Sequence, residues 1–257
     1  METGAITGYI DVAQVVLYVF WAFFAGLIYY LHQEGKREGY PLESDRSKHI
    51  RVEGWPPMPS PKTYKTQHYG ERTVPNDFKS PQALHASPIG NWPGAPLQPH
   101  NANPMLDGVG PGAWADRPDV PDMTYEGTPR IVPLRADGAF GVSPHDPDPR
   151  GKNVVGADGK VGGVAVDVWV DRSEMLFRYI EVEVDAEGGK RRVLLPMNFA
   201  RVGNKQINVK SILGGQFAQV PGTKQAEVVT YLEEEKIMAY YGAGTLYATP
   251  SRQEPLI

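Results

Sequence analysis

An uninterrupted apolar segment near the N-terminus is the first feature of the hydrophobic pattern. Residues 12–31 read VAQVVLYVFWAFFAGLIYYL, carry no charge and contain one amide, Gln14. Apolar side chains cover every face of this segment, which is typical of a helix surrounded by lipid. Twenty residues at 1.5 Å each span about 30 Å, the thickness of a bilayer core. The pattern therefore predicts one transmembrane helix.

The charges on either side of this segment predict its orientation. Glu2 and Asp11 precede it, whereas Lys36, Arg37 and further basic residues follow it. Basic residues mark the cytoplasmic side of a membrane helix, so residues 1–11 are expected in the periplasm. A secretory signal peptide fits poorly, because no basic residue precedes the segment, its apolar core is too long and no small-residue cleavage site follows.

The next two stretches lack a regular apolar pattern. Residues 32–54 mix both charges and are expected to form a solvated collar beside lipid head groups. Residues 55–150 hold 19 of the 24 prolines, so they cannot be ordinary helix or central sheet. The same stretch contains three of the five tryptophans, more aromatic surface than a loose linker usually carries. We therefore expect an extended segment that gains order by packing against partner proteins.

Residues 151–257 show the pattern of a small β domain. Apolar and polar residues alternate at 164–171 and again at 179–185, as in half-buried strands. Three more strands are predicted after a turn at 187–189, namely 192–196, 200–202 and 206–209. Short strands joined by tight turns favour a small antiparallel barrel.

A short C-terminal helix is predicted to complete this domain. Thr230 and Glu233 have the spacing of a capping box, and Gly242 and Gly244 are expected to end the helix. The acidic run 233–235 is interpreted as mainly structural, because negative charge is favourable at a helix N-terminus, although it would also raise proton occupancy nearby. The predicted fold class is a single N-terminal transmembrane α-helix, an extended Pro-rich segment and a mainly β cytoplasmic domain with this helix.

The composition and the absence of certain motifs exclude several classes of function. The 257 residues include no cysteine, which excludes disulfides, thiolate metal sites and cysteine nucleophiles. A net charge of −4 argues against a nucleic-acid partner, which requires an excess of basic residues. No motif for nucleotide binding, zinc hydrolysis or a serine nucleophile is present. All six histidines precede residue 151, so the predicted barrel has no imidazole for a catalytic triad or a three-histidine metal centre.

Candidate chemistry is concentrated at the turn between the first two predicted strands of the barrel. Asp171, Arg172, Ser173 and Glu174 are followed by Arg178. The simplest interpretation is a solvated hairpin turn with an exposed ion pair, which contributes little to stability. The alternative is a group of acids that share and pass protons, because one ionised carboxylate raises the proton affinity of the next. The residues alone leave both interpretations open.

Six short sequence blocks extend from the end of the apolar segment to the C-terminus. They are REGYPLE at 37–43, PKT at 61–63, NPMLDGVGP at 103–111, DPRG at 148–151, VWVDRSE at 168–174 and LYATP at 246–250. Together they resemble the H subunit of the purple-bacterial photosynthetic reaction centre. The resemblance implies a PRC-type barrel and a non-catalytic subunit of the bacterial inner, intracytoplasmic photosynthetic membrane.

The resemblance also implies a function and a set of partners. This chain would stabilise the L and M subunits, cap the quinone acceptor side and contribute to proton transfer to the secondary quinone. It is expected to bind no cofactor and no metal itself, whereas the complex is expected to hold bacteriochlorophyll, bacteriopheophytin, quinones, non-haem iron and carotenoid. A tetrahaem cytochrome subunit, a light-harvesting antenna ring and membrane lipids including cardiolipin are further candidate partners.

Three candidate proton-transfer residues follow from the resemblance. Glu174 matches a glutamate at the interface with the L subunit near the secondary quinone. Asp171 matches a neighbouring aspartate of the same group. Arg178 matches an arginine that pairs with these acids and limits their repulsion.

The proton entry departs from the family pattern. In the best-studied relatives an aspartate and two histidines occupy the positions of Thr124, Glu126 and Thr128. Both histidines are absent here, which leaves Glu126 and Asp122 as candidate entry groups. Ordinary loop acids are the alternative interpretation of both.

One lipid contact and two other functions stay open. Tyr30 matches a tyrosine that contacts cardiolipin in some relatives, and a tyrosine of the interfacial aromatic belt explains it equally well. A membrane-tethered PRC-barrel adaptor outside photosynthesis would keep the fold. A membrane-anchored acid/base enzyme using Asp171 and Glu174 is less favoured, because no substrate-binding motif accompanies them.

Overall fold

The computed structural model describes most of the chain as two compact units. The described residues are 4, 6–7, 9–40, 42–43, 51–52, 54–75, 83–92 and 94–253. The units are Met1–Lys79 and Ser80–Ile257, so the boundary expected at residue 151 falls inside the second unit. Glu2 of the predicted periplasmic segment and residues 44–50 of the predicted charged collar lie outside the described residues.

Helix α1, Val12–Gly35, dominates the first unit and extends beyond the predicted end at Leu31. The Asp11 carboxylate caps the helix by accepting a hydrogen bond from the backbone N–H of Gln14 at 2.7 Å. None of its residues is buried, and its length and apolar composition suffice to cross a membrane. The apolar helix expected from the sequence is therefore present.

Two basic side chains attach the end of α1 to the segment that follows. The Arg37 guanidinium donates to both carboxylate oxygens of Glu34 at 2.8 and 2.9 Å and to the backbone carbonyl of Val74 at 3.2 Å. The Lys36 ammonium donates to the backbone carbonyl of Pro56. Both basic side chains are buried. Their charged groups contact oxygen atoms of the first unit rather than solvent.

Four short strands complete the first unit. They are β1 (Leu42–Glu43), β2 (Arg51–Val52), β3 (Lys62–Lys65) and β4 (Glu71–Val74). β1 pairs with β2 and β3 pairs with β4, both antiparallel.

A curled, half-barrel sheet of seven strands forms the centre of the second unit. A two-stranded hairpin, β5 (Ala86–Pro88) with β6 (Leu97–Pro99), precedes it. The sheet contains β7 (Ile131–Pro133), β8 (Asn153–Val155), β9 (Val161–Asp171), β10 (Leu176–Ala186), β11 (Gly189–Pro196), β12 (Ala200–Val202) and β13 (Gln206–Val209). The strand order is β11-β10-β9-β8-β13-β12, and β7 pairs with the end of β9.

The five strands predicted from the sequence are all present, and the sheet also contains a parallel pair and a strand that were not predicted. β8 and β13 are parallel, which a purely antiparallel barrel excludes. The long stretch of chain between them supplies the crossover that a parallel pair requires. β7 belongs to the Pro-rich stretch, where no strand was expected.

The C-terminal helix α2, Tyr231–Tyr247, has the predicted capping box but not the predicted end. The Thr230 hydroxyl accepts from the backbone N–H of Glu233, and the Glu233 carboxylate accepts from the backbone N–H of Thr230 at 2.9 Å. The expectation that Gly242 and Gly244 end the helix is wrong. A Cβ on Gly244 would lie 2.5 Å from the backbone oxygen of Ser211, so this glycine serves close packing inside the helix.

Part of the Pro-rich stretch is ordered by the second unit itself. Met105 and Ile131 lie in the same buried cluster as Ile180 and Tyr240. A turn of 3-10 helix at 110–112 packs against α2, where a Cβ on Gly112 would come within 2.8 Å of the Cβ of Ala243. Met105 and Ile131 thus share the core of the sheet and α2, and packing of the stretch against partner proteins stays a prediction.

The substitution Gly244→Ala tests the close packing of α2. The added methyl group meets the Ser211 carbonyl and the Ile212 side chain, both at 2.5 Å. Overpacking of this kind is expected to lower the free energy of unfolding by about 2 kcal/mol. Denaturant unfolding of the full chain in detergent, followed by tryptophan fluorescence, measures the change.

Gly188→Ala is the matched control, since nothing lies within 4 Å of its added Cβ. Its expected change stays within about 0.5 kcal/mol. Equal stabilities for Gly244→Ala and the wild type would contradict the packing role.

Candidate functional site

A cleft of about 880 Å³ is bordered by the β9–β10 hairpin and by α2, both in the second unit. Its polar lining consists of Arg117, Asp122, Asp171, Arg178, Tyr179, Asn198, Tyr231, Glu234 and Glu235. Two of the predicted proton-transfer residues, Asp171 and Arg178, and one predicted entry residue, Asp122, therefore line one cavity.

Asp171 builds the hairpin turn that closes one end of the cleft. Its Oδ1 accepts hydrogen bonds from the backbone N–H groups of Ser173 at 3.0 Å and Glu174 at 2.9 Å. Such local bonds are the reason that aspartate is favoured in turns. The Asp171 residue has 0% of its surface exposed, so the interpretation of this turn as a solvated, exposed ion pair is wrong for Asp171.

Arg130 is the centre of the charged group, although no pattern in the sequence singles it out. Its Nε donates to Asp171 Oδ1 at 2.9 Å, its Nη1 to Asp122 Oδ2 at 3.1 Å and its Nη2 to Glu174 Oε1 at 2.5 Å. Arg130 directly precedes β7, and Ile131 pairs with Asp171 across the sheet. Only this pairing brings Arg130 to Asp171, 41 residues further along the chain, so no local pattern indicated it.

A β-bulge directs the second arginine to the same acids. The register of β9 against β10 shifts between Phe177 and Tyr179, which makes Arg178 the extra residue. Its Nε donates to Asp171 Oδ2 at 3.3 Å and its Nη2 to Glu174 Oε2 at 3.2 Å. The three predicted proton-transfer residues are thus in direct contact.

The two acids of the hairpin differ in their electrostatic setting. Burial acts to raise the pKa of Asp171, but the hydrogen bonds from Arg130 and from the backbone N–H of Glu174 outweigh it and hold this pKa below its ordinary value. Asp171 is therefore ionised at neutral pH. The Glu174 side chain is 46% exposed, so it contacts solvent as well as both arginines.

The two candidate entry residues are separated by the structure. Asp122 Oδ1 accepts a hydrogen bond from the Tyr231 hydroxyl at 2.5 Å, and its other oxygen binds Arg130. Glu126 is exposed, on a turn whose ends are joined by the Thr124 and Thr128 hydroxyls at 2.9 Å. Asp122 belongs to the cleft, whereas Glu126 does not line it.

Glu233 and Glu234, in the acidic run at the start of α2, make different contacts. Glu233 forms the helix cap, as expected. The neighbouring Glu234 lines the cleft, where its Oε2 accepts a hydrogen bond from the Tyr179 hydroxyl at 2.6 Å. Burial raises the pKa of Glu234 despite this bond and the nearby Arg178.

Tyr30 lies in the first unit, near the end of α1, and is half exposed. The Lys62 ammonium lies 5.7 Å from the centre of its ring and also binds Glu34 at 2.8 Å. The lipid contact of Tyr30 stays a prediction. Within the described ranges, no group of three or more His, Asp or Glu side chains could hold a metal ion.

Comparison with protein families gives two matches. Residues 4–136, more than half of the chain, match the model of the photosynthetic reaction centre H-chain N-terminal region, and residues 145–216 match the PRC-barrel domain. Asp122 and Arg130 lie in the first matched region, and Asp171, Glu174 and Arg178 lie in the second. The cleft is therefore built from both matched regions, together with α2.

The substitution Arg130→Met tests the central arginine. It leaves the buried Asp171 with Arg178 as its one remaining arginine, and breaking a buried ion pair is expected to cost about 3 kcal/mol of unfolding free energy at pH 7. Because the folded-state pKa of Asp171 is lowered, its contribution is present above the ordinary aspartate pKa and is lost as the pH falls through the folded-state value. The difference from wild type should therefore shrink in acid, as measured by denaturant unfolding of the full chain.

Arg150→Met provides the control for loss of an arginine. Its ion pair with Asp148 is exposed, with side chains 44% and 42% accessible, so the expected change is below about 1 kcal/mol. A loss for Arg130→Met that is no larger than this would show that the buried pair contributes little.

Proposed function

The chain belongs to the photosynthetic reaction centre H-chain family, and on that premise we propose that it caps the quinone acceptor side and conducts protons toward the secondary quinone. Membership makes it a structural subunit of a photosynthetic reaction centre, associated with the core subunits in a photosynthetic membrane. The capping of the quinone side and the proton path are more specific than family membership and are part of the proposal. The acidic cleft of the second unit is the observation that carries them.

Reduction of a buried quinone requires a path for protons. A quinone site is buried to control electron transfer, yet reduction places negative charge in a medium of low dielectric constant. That charge is neutralised by protons delivered through titratable side chains and water. A cleft that is lined by carboxylates and large enough for water supplies both.

The charged residues in and beside the cleft have different roles in the proposed proton path. Asp171 stays ionised and holds Arg130 and the hairpin backbone in place, so it acts as a positioning residue for Glu174. Arg130 and Arg178 limit the repulsion between the acids they share. Glu174 exchanges protons, because its side chain is half exposed to solvent, while each of its carboxylate oxygens contacts one of the two arginines. Asp122 lines the cleft and binds Arg130, which in turn contacts Asp171 and Glu174.

The exposed tip beside Glu174 supports contact with the core subunits. Met175 is 78% exposed and Leu176 42% exposed, and apolar side chains at a hairpin tip favour burial against another protein. In the proposal this tip faces the L subunit, so that Glu174 delivers protons across the interface to the secondary quinone.

The membrane arrangement is part of the same proposal. α1 crosses the membrane beside the L and M subunits with its N-terminus in the periplasm, since Lys36 and Arg37 follow it, and the second unit lies in the cytoplasm. The complex holds bacteriochlorophyll, bacteriopheophytin, quinones, non-haem iron and carotenoid, with none bound by this chain. Cardiolipin at Tyr30, an antenna ring and a tetrahaem cytochrome subunit are further proposed partners.

The assembly is tested by purifying the complex through a tag on this chain from membranes in mild detergent. Near-infrared absorption bands of bacteriochlorophyll that bleach reversibly in light are the expected result. A colourless preparation that contains only this chain and other proteins would contradict the assembly and favour the adaptor function outside photosynthesis.

The substitution Glu174→Gln tests the proton path in the assembled complex. The second electron transfer to the secondary quinone, which is coupled to proton uptake, is expected to slow by about 100-fold, the lower end of the range for loss of a positioned proton donor. The first electron transfer should change little. Flash-induced absorption changes of the two steps measure both rates.

Glu187→Gln serves as the control, because Glu187 is exposed in the turn between β10 and β11, away from the cleft. Both rates should match the wild type. If Glu174→Gln also behaves like the wild type, the proton role of Glu174 is wrong, while the structural role of the chain stands.

A further inference from the structure

We infer that Glu234 is the proton-holding residue of the cleft, taking a proton from water and keeping it available to the acids of the hairpin. The inference rests on the proposed proton path and adds to it a residue on α2.

The position of Glu234 meets the geometric requirement for this role. It lies in the first turn of α2, directly after the capping residue Glu233. It lines the same cavity as Asp122 and Asp171. The cavity of about 880 Å³ has room for several waters, each of which occupies about 30 Å³ of liquid. Glu234 and the hairpin residue Asp171 therefore border one cavity that is large enough for bridging water.

The hydrogen-bond partner of Glu234 distinguishes it from the other acids of the cleft. Asp122 and Asp171 bind arginine, and Glu235 lies 3.5 Å from Arg117. An arginine keeps its proton at any physiological pH and stabilises the ionised carboxylate. Glu234 instead accepts from the Tyr179 hydroxyl at 2.6 Å, a neutral group that can donate to a carboxylate or accept from a protonated carboxyl.

The charged groups around Glu234 oppose one another. Arg178 from β10 and Arg117 favour its ionised form, and Asp122 favours its protonated form. The N-terminal turn of α2 also favours ionisation. Burial exceeds these effects and raises the pKa of Glu234 above its ordinary value, which is the direction that a proton-holding residue requires.

Infrared difference spectroscopy of the purified complex tests the inference directly. Titration from acid to neutral pH should show a protonated-carboxyl C=O band that persists to higher pH than ordinary glutamates and shifts in D₂O. Glu234→Gln should abolish this band. Glu235→Gln, a matched change at the next residue, should leave it unchanged.

A second variant gives a signature that a purely structural role would not produce. Tyr179→Phe removes the hydrogen bond that lowers the pKa of Glu234, so the band should move in frequency and persist to still higher pH. Absence of any such band in the wild type, or its persistence in Glu234→Gln, would overturn the inference. Neither outcome depends on Glu174, whose role is tested separately by the second electron transfer.

Discussion

The ion pair between Arg130 and the buried Asp171 is the interaction on which the site depends. It joins the residue that precedes β7 to the residue that ends β9, and both of its partners also contact Glu174. A carboxylate with 0% exposure is tolerated because two arginines and two backbone N–H groups satisfy it. The turn, the bulge at Arg178 and the exposed position of Glu174 all follow from satisfying that one buried charge.

The cleft combines two electrostatic environments within one cavity. At the hairpin, hydrogen bonds from Arg130 and from the backbone hold Asp171 ionised, and at the start of α2, Glu234 is paired with a tyrosine and partly buried. In the proposed path, the negative charge created by quinone reduction draws the proton from Glu234 toward the hairpin, because transfer to an acid of lower proton affinity is otherwise unfavourable.

The remainder of the second unit positions these two sides. α2 approaches the rest of the unit closely only because Gly112, Gly242 and Gly244 carry no Cβ where backbone and side-chain atoms lie within 3 Å. The Pro-rich residues 104–136 supply the turn that packs on α2, the strand β7 and Arg130 itself. A stretch that appears irregular in composition therefore carries central parts of the site.

Local patterns along the chain are enough to predict several elements and three residues of the site. The apolar segment predicts α1, alternation predicts β9 and β10, the Thr230 and Glu233 spacing predicts the cap of α2, and the matching sequence blocks indicate Asp171, Glu174 and Arg178. Contacts in the folded chain establish the burial of Asp171, the position of Arg130 among three acids, the close packing at Gly244 and the hydrogen bond between Glu234 and Tyr179. Each of these depends on contacts between residues distant in the chain, and such contacts leave no period or spacing in the sequence.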